Sequence, residues 1–545
     1  MRGLPVKWLF YLFLVNRLVF NMCILQVTLS TANAIIVAST LATLQVSLAC
    51  TAAPSHPTPP LHPQITATAN AVMQKHHIPG MAIVFVKDGK IAFEKGFGIT
   101  KITDGTAVNT STLFKVGSIS KSITAAALAL LMQDGKLKWD DPLSLHIPEL
   151  EAANPAVARL TIRQVLSHQT KLDLDRLEPL LWPQPNQFKF ENIVLGLKVL
   201  AEDARISGVF SYSNLNYALA GEVVRRASKV SYGTYVQREI FAPLKMRCVV
   251  HNNNTDHVKS VAQPHVRVDG VTYIVRADPI EGAITEGLDA AAGGVRCDAN
   301  AMGKWLQFQL KPQSSALRVT DALWRDLHRA QAAVRTDFDA ALKPTMIETY
   351  GLGLQIVADA GEIRYDHYGG VAGMLAYFAV SPSHNSGFAV LLNMGDGAAR
   401  KALIDDLSLL MRGKTIPRRA LASKAAAVPT ALAKRKPLDP NAAAAYFGRY
   451  EDPWFGEVSL CASASTSTGG ATFDSQSSLR FQGKLVFDEQ QRLIVLWDDK
   501  AINSDAFLLS AETRDAKIQR FTLKPVGESD FDFGAMRFRR IGECP

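Results

Sequence analysis

The spacing of apolar and polar positions switches repeatedly between helical and strand periods along this chain. Thr66–His77 has helical spacing, the Pro79-Gly80 break follows, and Met81–Val86 is then almost continuously apolar up to the turn Asp88-Gly89. With the second run Ile91–Phe93 this predicts a hairpin whose first strand is covered on both faces. The run opening at Gly117 is strongly helical and stops at Asp134-Gly135. Thr161–Ser167, Asn214–Ser228 and Met302–Leu310 repeat the helical period, with Leu215, Ala218, Leu219 and Val223 on one face of the second. The pattern returns to strands at Leu352–Val357, Met374–Val380 and Gly387–Asn393, then to a helix at Arg400–Met411. A hairpin first, helices in the middle and strands late predict an α+β domain with one antiparallel sheet flanked by helices and a helical subdomain.

The remaining regions have different textures. Residues 413–437 lack an acid and are rich in Ala, Lys, Arg and Pro, the composition of a linker. Within 438–545, short runs such as Leu485–Phe487, Leu493–Trp497, Phe507–Leu509 and Ile518–Leu523 are separated by polar turns, the pattern of a small all-β domain. The Ser/Thr/Gly-rich stretch Ala462–Ala471 reads as a mobile loop. At the other end, residues 53–65 are Pro/His-rich and read as a tether. Residues 1–52 carry Arg2, Lys7 and Arg17, no acid, and apolar runs at Trp8–Val15, Leu18–Val27 and Ala34–Cys50. These features predict an export leader, either a cleaved signal or a retained membrane anchor. The domain of interest is then 66–412.

Composition adds limits. At 545 residues, 48% hydrophobic and 20% charged, the chain is globular and long enough for more than one domain. Three of the nine net positive charges lie in the leader and seven bases cluster between Lys414 and Lys436. A basic balance without a nucleic-acid motif suggests anionic surfaces or a solvated linker, not specific DNA binding. Four cysteines lie beyond the leader, Cys248, Cys297, Cys461 and Cys544, with no C-x-x-C spacing to suggest zinc. Four cysteines allow three connectivities; Cys248–Cys297 and Cys461–Cys544 are the obvious pairs for an exported chain. The adjacent His76-His77 diverge on a helix and read as a surface pair, not a metal site.

Candidate chemistry begins at Gly117-Ser118-Ile119-Ser120-Lys121. In a helix, positions i and i+3 share a face, so Ser118 and Lys121 are neighbours. A serine hydroxyl needs a base to become a nucleophile, and lysine serves once burial has removed its proton. The first N–H groups of the helix, that of Ser118 included, then face a developing oxyanion. Two companions support the pairing. Tyr212-Ser213-Asn214 falls on a loop at a helix start, where a tyrosine shuttles protons and an amide holds substrate or orients the lysine. His367-Tyr368-Gly369-Gly370 falls at the edge of the late strand block, where glycines let a substrate lie against the strand and the Gly370 N–H completes an oxyanion hole.

In this order the three elements resemble the serine β-lactamase and penicillin-recognising family, whose marks are S-x-x-K, a Tyr- or Ser-centred second motif and K-T-G. The Y-x-N form resembles the class C β-lactamase, D,D-peptidase and esterase branch. Ile78-Pro79-Gly80-Met81, Leu137–Pro142, Ile162–His168, Phe241–Met246 and Ala291-Ala292-Gly293-Gly294 extend the likeness over roughly residues 66–412. The resemblance implies a β-lactamase/transpeptidase-like sheet, a Ser118 acyl-enzyme assisted by Lys121 and Tyr212, and no metal or organic cofactor. It assigns Asn214, His367, Tyr368 and Gly369 to substrate, and the Ser118 and Gly370 N–H groups to the oxyanion. The β domain resembles the accessory domain of penicillin-binding-protein-like and D-aminopeptidase-like members.

The third motif departs from the pattern, with His367 where β-lactamases have lysine and Tyr368 where they have a small hydroxyl residue. An imidazole grips a carboxylate less strongly than an ammonium, and a phenol beside it narrows the cleft. The expectation is an exported serine hydrolase, periplasmic or secreted, acting on an amide, β-lactam or D-Ala-type peptide such as peptidoglycan supplies. A carboxylesterase, a D-aminopeptidase and a non-catalytic envelope binding protein remain open on the same residues. Nucleic-acid partners are not expected, nor membrane contact beyond the leader.

Overall fold

The computed structural model describes residues 60–545 except 171–173, 183–185, 201–208, 251–259, 269, 276–285, 312–315, 318, 339–342, 360, 372, 418–437, 439–442, 464–469, 479, 500–501, 503, 527–532 and 534. The leader, most of the tether and basic linker, and the centre of the Ala462–Ala471 stretch lie outside the described residues. Among those described, no helix is long and apolar enough to cross a membrane.

The first helix spans Leu61–His76, so it begins inside the stretch read as a tether. Its prolines mislead: Pro60 precedes the helix and Pro63 lies in its first turn, where no N–H is needed for the ladder. His76 is buried, with Nδ1 3.3 Å from Asp396 Oδ2, so only His77 remains of the expected surface pair. Among the described residues no group of acidic, His or Cys side chains could hold a metal.

One eight-stranded sheet carries the domain. Its order is Lys90–Gly98, Gly80–Lys87, Ser386–Leu392, Met374–Ser381, Glu362–Val371, Gln355–Asp359, Pro344–Tyr350, Ala332–Phe338, and each neighbouring pair is antiparallel. Gly80–Lys87 is buried on both faces, as its continuous apolar run requires. Side-chain alternation divides the two faces. Ala82, Val84, Val86, Ala376, Phe378 and Leu391 face a core shared with the Ser120–Gln133 and Ala299–Leu310 helices. Met81, Ile83, Phe85, Tyr377, Val390 and Leu392 face the Leu61–His76 and Gly397–Met411 helices.

Ser120–Gln133 is apolar almost all round and buried from Ser120 to Ala129, the signature of a helix enclosed by its neighbours. It packs against the Asn214–Ser228, Ala290–Gly293 and Asp321–Leu327 helices, while Ala299–Leu310 lies on the sheet. A three-stranded sheet joins Phe114–Lys115, Val295–Cys297 and Cys248–Val250. There Cys248 pairs with Cys297 across the strands, and the two form a disulfide.

The C-terminal strands form a closed eight-stranded barrel in sequential order, from Gly448–Asp452 to Phe538–Gly542, with a second disulfide between Cys461 and Cys544. Phe473, Phe481, Trp497, Phe521 and Phe538 are buried in its core and make ring contacts with one another or with neighbouring aromatics, so aromatic packing occupies its interior. The barrel meets the preceding domain through Gln187 N donating to Ser477 O (2.9 Å), Asn192 Nδ2 donating to Trp454 O (2.8 Å), and Phe188 against Phe455.

Candidate active site

The site is built on a chain reversal at Gly117. Its φ of +55° suits glycine, and a Cβ there would lie 2.5 Å from Gly370 N. Gly117–Ile119 is a 3-10 turn and the α-helix proper starts at Ser120. Residues i and i+3 eclipse in a 3-10 turn, which sets Ser118 directly over Lys121. The Gly117 and Ser118 N–H groups precede the first hydrogen bond of the turn, made by Ile119 N to Val116 O.

Lys121 is fully buried, and its Nζ lies 3.0 Å from Ser118 Oγ, 2.6 Å from Asn214 Oδ1 and 2.9 Å from Ala292 O. Burial lowers its pKa to about 7, against the opposing pull of Glu178. A neutral amine has two N–H donors and one lone pair. The Asn214 amide oxygen and the Ala292 carbonyl can only accept, so they take both N–H groups and leave the lone pair for the Ser118 hydroxyl. The arrangement can therefore remove the Ser118 proton as its oxygen attacks a carbonyl.

Tyr212 and Asn214 are brought to the same place. The Tyr212 ring centroid is 4.8 Å from Lys121 Nζ and 4.4 Å from the His168 ring. Asn214 begins the Asn214–Ser228 helix. Glu178 accepts from Asn214 N at 3.0 Å and from its Nδ2 at 3.2 Å, which turns Oδ1 toward Lys121. The buried His168 Nδ1 accepts from Ser213 N and Asn216 Nδ2, both at 3.2 Å, and so fixes the loop behind Tyr212. Burial holds that imidazole neutral, with Lys121 and His367 acting in the same direction.

The third motif lies within the strand Glu362–Val371. Gly369 abuts the Gly117 turn so closely that a Cβ would fall 2.0 Å from Val116 O. His367 is on the same face, but it is buried and engaged within the protein. Its Nδ1 is 2.6 Å from the Tyr368 carbonyl, which only accepts, so the ring hydrogen is on Nδ1 and Nε2 accepts from the Tyr350 hydroxyl at 2.8 Å. Burial, aided by Lys121, lowers its pKa to about 3.

Tyr368 requires a correction. It pairs across the strands with Tyr377, on the sheet face covered by the terminal helices. Its ring meets Tyr377 at 4.8 Å and the Arg400 guanidinium at 4.9 Å. Residues 367 and 368 of an extended strand point to opposite faces, so the phenol is placed behind the sheet and does not narrow the cleft beside Ser118.

Sequence reasoning missed Glu178, Tyr350 and Arg400. None has a motif: Glu178 is in a 3-10 segment, and Tyr350 ends a strand whose apolar alternation is weak. Ala292 was visible only as part of a glycine-rich mark, and its contribution is a backbone oxygen.

A family model described as Beta-lactamase matches residues 65–410. This chain belongs to the β-lactamase family. Members of this fold family are serine hydrolases. The protein named Protein flp of Staphylococcus aureus (strain MRSA252) is 23% identical over 332 residues, covering 61% of this chain and 62% of that protein. A Beta-lactamase of Yersinia enterocolitica is 26% identical over 256 residues, 46% of this chain and 60% of that one. The chain thus spans about six tenths of the length of these curated relatives. Among solved structures, the octameric penicillin-binding protein homologue from Pyrococcus abyssi matches with TM-score 0.55 and 19% identity, covering 87% of this chain and 99% of its own. A class C β-lactamase from Rhodobacter sphaeroides matches with TM-score 0.51 and 21% identity over 64% of this chain and 99% of its own. The first likeness takes in the C-terminal region as well as the β-lactamase fold, whereas the second covers a share nearer that of the β-lactamase-like domain alone.

Proposed function

We propose that this chain is an exported serine hydrolase that works through an acyl-enzyme on Ser118. The observation that carries the reading is the buried Lys121 amine 3.0 Å from Ser118 Oγ, with a pKa low enough to leave it largely unprotonated in mildly alkaline solution. Ser118 Oγ attacks the substrate carbonyl and its proton passes to Lys121 Nζ. The Ser118 and Gly370 N–H groups receive the oxyanion. As the intermediate collapses, the leaving amine or alcohol takes a proton by way of Tyr212. Water activated by the same Tyr212–Lys121 pair then releases the acid, while Asn214 holds the lysine in register.

The acyl donor is an amide, a β-lactam or a D-Ala-type peptide such as peptidoglycan supplies. The neutral, internally bonded His367 favours a second reading, a carboxylesterase, because that position supplies no ammonium for a substrate carboxylate. Parallel assays on nitrocefin, a short p-nitrophenyl ester, a D-amino-acid amide and a D-Ala-D-Ala peptide separate the classes. Ser118→Ala is expected to abolish turnover of whichever is cleaved, together with covalent labelling by a fluorophosphonate; retained turnover overturns the assignment.

A further inference from the structure

The peptide unit joining Gly369 to Gly370 has two ends. Its N–H end meets the Gly117 turn that carries Ser118. On the other side of the same unit, the Gly369 carbonyl accepts from Arg400 Nη1 at 2.7 Å, and the Ala376 carbonyl lies 3.4 Å from that nitrogen. Arg400 comes from the Gly397–Met411 helix behind the sheet, and Tyr368 stacks on its guanidinium at 4.9 Å.

We infer that Arg400 is a positioning residue for the oxyanion hole, acting from behind the sheet through the Gly369–Gly370 peptide. This rests on the reading of Gly370 N–H as an oxyanion donor. An amide that accepts a hydrogen bond at oxygen becomes a stronger donor at nitrogen, and the effect is larger when the partner is charged. Two glycines in succession make a flexible peptide, and a tether at its oxygen keeps its N–H aimed at the cleft. Desolvation lowers the Arg400 pKa, yet a guanidinium stays charged at any pH where the enzyme works. Tyr368 thereby gains a use on the face where it lies: its ring covers the guanidinium and limits where that group can move.

The test uses the full chain and the ester or amide it cleaves fastest. Arg400→Met should lower kcat by about tenfold per fluorophosphonate-titrated site, less than the loss of a whole donor, with KM nearly unchanged. The affinity for a boronic acid that adds to Ser118 should fall by the same factor, since its oxygen occupies the same hole. Arg400→Lys should recover part of both, and Tyr368→Thr should cause a smaller loss of both. If Arg400→Met folds, titrates fully and keeps both kcat and boronate affinity, the inference is overturned while the Ser118 mechanism stands. A loss of titratable sites with unchanged kcat per site also overturns it, because the residue is then structural only. Ser118→Ala retaining turnover would instead remove the reading on which the inference depends.

Discussion

Lys121 Nζ and Asn214 Oδ1 are 2.6 Å apart, and this contact joins the first motif of the site to the second. The amide oxygen accepts from the amine whether or not Lys121 is protonated. In the proposed mechanism it therefore holds the base beside Ser118 while the lysine gains and loses a proton.

With Lys121 titrating at about 7, its neutral form is the active one. Acylation should therefore rise with pH through about 7 and flatten above it. Lys121→Arg, which cannot lose its proton, should reduce acylation by about a hundredfold or more. Single-turnover acylation followed across pH checks both. The same group makes stability rise with pH between about 7 and its unfolded value, because there the unfolded chain binds the extra proton.

Glu178 favours the charged form of Lys121 through its own negative charge. Glu178→Gln removes that charge while keeping an acceptor for Asn214 N, so the acid limb of the pH–rate profile should move to lower pH. Glu178→Ala also frees the Asn214 amide and should lower kcat by about ten- to a hundredfold. An unmoved acid limb in Glu178→Gln would show that this carboxylate does not govern the lysine.

His367 should remain neutral from about pH 5 to pH 9, with its hydrogen on Nδ1, because its pKa is about 3 and Nε2 accepts from Tyr350. Nitrogen-15 NMR of the labelled imidazole reads both the tautomer and the absence of titration. Tyr350→Phe removes the donor and should cost about 1–3 kcal/mol of stability.

The paired glycines should respond unequally to a methyl group. At Gly369 the added Cβ would lie 2.0 Å from Val116 O, whereas at Gly370 its nearest neighbour is a Leu375 methyl at 3.4 Å. Gly369→Ala should lower the melting temperature and abolish activity. Gly370→Ala should fold with nearly native stability, as thermal melting will show.

The sequence alone identified the elements whose information is local. The Ser118–Lys121 pair follows from spacing on one turn, the two-sided burial of Gly80–Lys87 from its continuous apolar run, and Asn214–Ser228 from its period. Periodicity also announced a C-terminal β domain, because its strands are short and separated by turns. It missed Ala332–Phe338 and Pro344–Tyr350, strands with substantial solvent exposure and little apolar alternation to reveal them. What only the tertiary structure decided is which distant groups meet. Glu178 reaches Asn214, the Ala292 carbonyl reaches Lys121, Tyr350 reaches His367, and Arg400 reaches Gly369, all through polar contacts that leave no trace in local spacing. The position of Tyr368 shows the same limit. Strand alternation predicts that His367 and Tyr368 face opposite ways, but only the packed sheet shows which face holds Ser118 and which holds Arg400.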